Sequence, residues 1–144
     1  MFRGRYRMVV DGREVATWDP SWWRTGGSFE IDGYRFEVRA NGWGTKFRML
    51  DQAGNVLALV ERVGRKYWSA QADGRVYEFR RASIWGKQQD LIVNGTVAGH
   101  IRRTSGWTGA VEADLPGVPL PTQVFLVGVQ IAHWQAQQNA AAAS

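Results

Sequence analysis

Five Asx–Gly dipeptides divide the first hundred residues: Asp11-Gly12, Asp32-Gly33, Asn41-Gly42, Asp73-Gly74 and Asn94-Gly95. Aspartate and asparagine tolerate the left-handed backbone region and glycine enters it without steric cost. Each pair therefore favours the type I′ turn that closes a two-residue β-hairpin. Ala53-Gly54-Asn55 marks a sixth, longer turn and Val63-Gly64-Arg65 a seventh. Turns this frequent leave room only for short strands, which points to an all-β meander, sandwich or barrel.

The intervening residues alternate. Tyr34, Phe36, Val38 and Ala40 share one face while Arg35, Glu37 and Arg39 share the other; Tyr77 and Phe79 likewise oppose Glu78 and Arg80. A period of two is that of strands with one dry and one wet face. The pattern predicts strands at 5–10, 13–18, 28–31, 34–40, 45–50, 56–62, 66–71, 75–80, 90–93, 96–102 and 109–113, about twelve in all if one escapes the pattern. The chain has 144 residues, 44% of them hydrophobic and 22% charged. That composition excludes disorder and fits one domain over residues 1–144. The absence of cysteine excludes disulfides, thiolate metal sites and a cysteine nucleophile.

The β pattern stops at Leu115-Pro116-Gly117-Val118-Pro119-Leu120-Pro121, because proline cannot donate to a ladder. Thr122 follows as a candidate N-cap. From Gln123 to Trp134 no turn signal occurs, so the spacing predicts a helix over about 122–137 and a frayed tail at 138–144. Val124, Val127, Ile131 and Trp134 form one stripe of this helix, and Phe125, Leu126, Val129 and Ala132 cover its other sides. A helix apolar nearly all round is a buried helix. A sandwich with the helix on an open face would ask for a polar stripe. A closed antiparallel barrel of about twelve short strands, threaded by the C-terminal helix, would bury the whole wheel and remove every sheet edge.

This layout resembles the tubby C-terminal-like group, which includes the phospholipid scramblases and the LURP-one-related proteins. The hairpin series and the stretch from Pro119-Leu120-Pro121 to Trp134 carry the resemblance, which covers nearly the whole chain as a layout. It implies a closed twelve-stranded barrel around a hydrophobic C-terminal helix, and a link to anionic lipid. The cysteine-rich acylation segment and proline-rich N-terminal region of scramblases have no counterpart here. No calcium-site loop or phosphoinositide-binding pair aligns, so no functional residue is carried over.

Few residues suggest reaction chemistry. There is no Gly-x-Ser-x-Gly elbow and no complete phosphate loop, since Gly42-Trp43-Gly44-Thr45-Lys46 lacks the required spacing. His133 falls in the buried helix and His100 in a strand, which is too few ligands for zinc. Asp11, Asp32 and Asp73 are explained as turn formers. The reading is therefore non-enzymatic, with no cofactor and no metal. A small hydrolase with an unrecognised carboxylate site is the least favoured alternative.

Charge points elsewhere. Eighteen basic residues oppose thirteen acidic ones, for a net charge of +5. Arg35, Arg39, Lys46 and Arg48 fall on the outward sets of two strands joined at Asn41-Gly42, with Glu37 between them. They form a candidate anion- or lipid-binding face. Trp22, Trp23 and Trp43 are candidate interfacial aromatics, because indoles favour the membrane–water boundary. The expected partner is an anionic membrane surface, bound peripherally from the cytoplasm; a protein partner without any lipid role is the alternative. A closed barrel offers nucleic acid only its outside, which disfavours that partner. No stretch reaches the roughly 20 apolar residues of a transmembrane helix, and no signal peptide is evident.

Overall fold

The computed structural model describes residues 6–10, 13–20, 26–41, 45–82, 87–103 and 111–143, with backbone alone at 6, 10, 13, 20 and 138–143. Among these residues eleven strands are followed by one helix. They are β1 (Tyr6–Val10), β2 (Arg13–Pro20), β3 (Gly26–Ile31), β4 (Tyr34–Ala40), β5 (Phe47–Leu50) and β6 (Val56–Glu61). Then come β7 (Tyr67–Ala72), β8 (Arg75–Arg81), β9 (Gln88–Val93), β10 (Thr96–Arg103), β11 (Val111–Asp114) and the helix α1 (Leu120–Ala143). All eleven strands belong to one antiparallel sheet in chain order.

Strict sequential order sends alternate connections to opposite ends of the sheet. Turns 32–33, 51–55, 73–74 and 94–95 share the end at which α1 begins; connections 41–46, 62–66 and 82–87 share the end towards which it runs. The tight turns at the helix-entry end are left-handed at both central residues: φ is 51° and 82° at Asp32-Gly33, 57° and 69° at Asp73-Gly74, and 51° and 75° at Asn94-Gly95. This is the backbone that the Asx–Gly pairs predict.

Alternate residues of nearly every strand face one core. Trp18, Phe29, Val38, Phe47, Met49, Val60, Trp68, Ala70, Phe79, Leu91 and Ile101 are buried there. From α1 they meet Val124, Phe125, Leu126, Val129, Ile131, Ala132 and Trp134. Gln130 is also buried, so from Thr122 to Trp134 no helix position is exposed. The sheet therefore curves around the helix, which shows no exposed stripe from Thr122 to Trp134. At 25 cal/mol per Å² such an all-round apolar surface is the main term holding the two together.

The sheet is nevertheless not a closed barrel. Among the described residues β1 pairs with β2 and β11 with β10, but the two end strands do not pair with each other. Both are short, and β11 exposes Glu112 and Asp114 along its length. Charged side chains on a short edge strand oppose further pairing. The helix packs against β2 and β3 near one edge and against β11 at the other, so it covers the interval that hydrogen bonds leave open.

The helix itself differs from expectation at both ends. It begins at Leu120, with Pro121 in its first turn, where a missing N–H costs nothing. Thr122 thus lies inside the helix and is no N-cap; its hydroxyl donates to Asp73 Oδ2 at 2.8 Å, which also accepts from the Tyr77 hydroxyl at 3.1 Å. At the other end the helix continues to Ala143. Alanine has the highest helix propensity, so the alanine run extends the helix where a frayed tail was expected. No helix among the described residues is long and apolar enough to cross a membrane.

One contact fixes the helix in the sheet. The Trp18 indole is fully buried, and a Cβ added at Gly128 of α1 would lie 2.5 Å from its Cζ3. A Cβ at Gly27 of β3 would lie 2.6 Å from its Cζ2. The ring is held between two glycines because no other residue leaves it room. Gly128→Ala gains up to about 1 kcal/mol of helix propensity but overpacks a rigid ring at a cost of about 1–3 kcal/mol. We expect a net loss of stability, read as a fall of several degrees in Tm. In a Trp18→Phe background, which removes the clashing ring, that loss should shrink. Additive effects of the two substitutions would contradict the contact.

Candidate anion-binding face

Strands β4 and β5 build the site. Their register sets Arg39 directly opposite Arg48, with Val38 opposite Met49 one step along. The valine and methionine are buried, so the two arginines face outward. Arg35, four residues before Arg39, shares their face. Together with Glu37 and Asp51 these arginines line an open groove of about 500 Å³, whose apolar part comes from Leu50 and Val56.

Like charges directly opposite in a sheet are destabilising. The groove relieves this only in part. Arg39 donates to Glu37 Oε2 from Nε at 3.2 Å and from Nη2 at 2.9 Å. Arg35 donates from Nη2 to the hydroxyl of Ser28 at 3.2 Å, which is neutral. Among the described residues Arg48 has no ion pair and no hydrogen bond. Asp51 is occupied by its own turn: Oδ1 accepts the N–H groups of Ala53 and Asn55, each at 2.9 Å, and Oδ2 accepts the Asn55 amide at 3.0 Å. The Asn55 side-chain and backbone bonds hold its carboxyl below the usual range, so it stays ionised and committed to the loop. Two guanidinium groups, Arg35 and Arg48, thus face solvent without a carboxylate partner.

Lys46 is not part of this groove. The pair Ala40–Phe47 is the last of the β4–β5 ladder, and the connection beyond it is long, not a two-residue hairpin at Asn41-Gly42. Asn41 explains the difference. Its Oδ1 accepts the N–H groups of Thr45 at 3.0 Å and Lys46 at 3.2 Å, and its own N–H donates to the Lys46 carbonyl at 3.0 Å. The asparagine side chain closes the loop across its base, and Lys46 is exposed at that base. Trp22, Trp23 and Trp43 lie outside the described residues.

The histidines take separate places. His100 on β10 approaches Glu112 Oε1 at 3.3 Å, and Arg102 donates to the same oxygen at 3.1 Å. These contacts, the His100 bond first, hold the Glu112 carboxyl below its ordinary value. His133 on α1 lies beneath the 62–66 turn, where a Cβ on Gly64 would come within 2.7 Å of its ring. Among the described residues no group of three or more His, Asp or Glu side chains could hold a metal ion.

Burial lowers the affinity of His133 for a proton. The unfolded chain takes up that proton near pH 6.5, whereas the folded chain resists it to lower pH. Stability is therefore full above about pH 6.5 and declines as pH falls towards the depressed native value. His133→Gln is expected to flatten the dependence of Tm on pH between about 6.5 and 5. An unaltered slope would assign that dependence to another group.

Sequence reasoning found the three groove arginines and Glu37 but missed Asp51, Leu50 and Val56. The signal for Asp51 was available: an aspartate two residues before Ala53-Gly54-Asn55 is placed to accept the N–H groups of its own turn. Leu50 shares the strand parity of Arg48, so its place was also readable, whereas Val56 pairs with Leu50 across a bulge that leaves no mark in the alternation. No protein-family model matches this chain, and no curated protein or solved structure matches it.

Proposed function

We propose that this chain is a non-enzymatic binding module that associates peripherally with anionic phospholipid through its basic outer face, in the manner of a tubby- or scramblase-like domain. The observation that carries this reading is the pairing of Arg39 with Arg48 across β4 and β5, in a groove where Arg48 has no partner among the described residues and Arg35 only a hydroxyl. Opposed guanidinium groups cost stability unless an anion joins them, and their planar forks suit phosphate oxygens. A β-meander followed by a buried C-terminal helix is the layout on which the family resemblance rests, although the unclosed eleven-stranded sheet departs from that family's closed barrel.

A protein partner without lipid is the second reading. Val56, Leu57, Val76, Val93 and Val97 are exposed beside the turns of the helix-entry end, which favours contact with another apolar surface there. A hydrolytic reading finds less support. Glu37 is engaged by Arg39 and Asp51 by its turn, whereas acid–base work needs two carboxyl groups pushed to different proton affinities.

Vesicle co-sedimentation tests the proposal. The chain should bind vesicles of phosphatidylcholine with phosphatidylserine, fail to bind phosphatidylcholine alone, and lose affinity as salt rises. Each basic group near an acidic surface contributes about 1 kcal/mol. Arg35→Gln/Arg48→Gln should therefore weaken binding about thirtyfold without lowering Tm. Binding to neither vesicle at low salt would refute the lipid reading and favour a protein partner.

A further inference from the structure

Among the described residues, cations without an ion-pair partner gather at one end of the sheet, outside the groove. At the helix-exit end, Lys46, Arg62, Arg65, Lys66 and Lys87 are exposed, and Arg81 and Arg103 are half-buried. Backbone hydrogen bonds link their connections in series. Val63 N–H donates to the Thr45 carbonyl at 3.2 Å, Arg81 N–H to Lys66 at 2.8 Å, and Arg103 N–H to Lys87 at 2.9 Å. The seven cations thus follow one arc around the sheet end, and none has an ion-pair partner among the described residues. Among the described residues Asp19, Glu61 and the buried Asp90 are the acids near the same strand ends, with Asp90 accepting from Gln88, while Glu112 nearby is already bonded to Arg102 and His100.

The helix forms the floor of this arc. Gly64 lies over the His133 ring, and the Arg103 guanidinium sits 5.5 Å from the centre of the Trp134 ring. The opposite end carries the contrary charge: Asp32, Asp51, Asp73 and Asp114 stand at its turns, with Arg35 and Arg75 among them. The charges of the described residues are therefore polarised along the helix. The negative helix C-terminus does not account for these cations, because α1 runs on to Ala143 and its dipole acts only within the last turn.

We infer that the helix-exit end is the surface by which the molecule docks, end-on, against an anionic lipid bilayer. The inference rests on the lipid reading above and gives it an orientation. An axial charge separation turns the basic end towards an extended negative plane. The arc also begins at Lys46, two residues from Arg48, so it is continuous with the basic wall of the groove. Beyond Trp134 the helix runs on through residues 135–143, about 13 Å at 1.5 Å per residue, and this stretch has neither acid nor base. A fluid headgroup layer closes around an uncharged projection of that size, whereas a rigid nucleic-acid duplex cannot lie flat across it.

The test compares wild type, the groove variant Arg35→Gln/Arg48→Gln, the arc variant Arg62→Gln/Arg65→Gln/Lys66→Gln/Lys87→Gln and the opposite-end control Arg75→Gln. Each is titrated with phosphatidylcholine–phosphatidylserine vesicles and, separately, with a duplex DNA oligomer. At about a factor of five per charge, the arc variant should lose several hundredfold in vesicle binding with Tm unchanged, and Arg75→Gln should lose nothing. Because the chain has no cysteine, single labels at Tyr67→Cys and Thr96→Cys report the orientation. An environment-sensitive fluorophore should respond to vesicles at position 67 and stay silent at position 96. Vesicle binding that survives in the arc variant but fails in the groove variant would overturn the end-on inference and leave the lipid reading intact. Absence of vesicle binding in wild type would overturn both, and arc-dependent binding to DNA alone would reassign the surface to nucleic acid.

Discussion

The position of Trp18 between Gly27 and Gly128 sets the geometry of the remainder. A strand residue, its neighbouring strand and the helix meet in one contact with no spare volume. Close-packed interiors transmit such constraints, because side chains cannot shift without moving what they touch. The contact fixes how deep α1 lies and which way it is turned. From that follows the placement of His133 beneath Gly64 and of Trp134 beneath Arg103, roughly one and a half helical turns further on. The indole Nε1 has no hydrogen-bond partner among the described residues, nor does Oε1 of the buried Gln130. By contrast, Trp68 donates to Gln89 Oε1 at 2.8 Å. Trp18 is thus placed by shape, and Trp68 by shape and a hydrogen bond.

The same architecture separates charge. In a meander, side chains within strands divide between core and wall, while residues in connections divide between the two ends. The wall between β4 and β5 mixes three arginines with Glu37 and Asp51, and its carboxylates are engaged locally. At the helix-exit end the connections carry exposed cations with no ion-pair partner among the described residues. The helix-entry end has tight turns that need aspartate for backbone reasons, and acid accumulates there as a by-product of turn chemistry.

Most of the fold was legible in the sequence because its signals are local. Each of the eleven strands lies where alternation placed it, within a few residues, and the tight turns at Asp32-Gly33, Asp73-Gly74 and Asn94-Gly95 follow from left-handed tolerance alone. The helix was legible from its apolar wheel. Closure was not, because whether β1 meets β11 depends on edge lengths and on Glu112 and Asp114, not on any pattern inside a strand. Asn41 misled for a related reason: its side chain closes a longer loop by accepting two N–H groups, which the dipeptide cannot reveal. The groove arginines were legible from strand parity. The cationic arc leaves no mark within any one strand, and only sorting the connections by odd and even order separates Lys46, Arg62, Arg65, Lys66 and Lys87 from Asp32, Asp51 and Asp73.

The element that fills the core is also the one that follows all eleven strands in the chain. Neighbouring hairpins can zip as they are synthesised, since each needs only the strand before it. Their inner faces, with Phe29, Phe47, Trp68 and Phe79, have no complete partner until α1 has emerged. Until α1 is in place those inner faces are open to water and to other chains. Such half-made surfaces are where aggregation and chaperone capture occur. A truncation before Val124 would remove the helix half of that core and leave the strands' apolar faces without a partner.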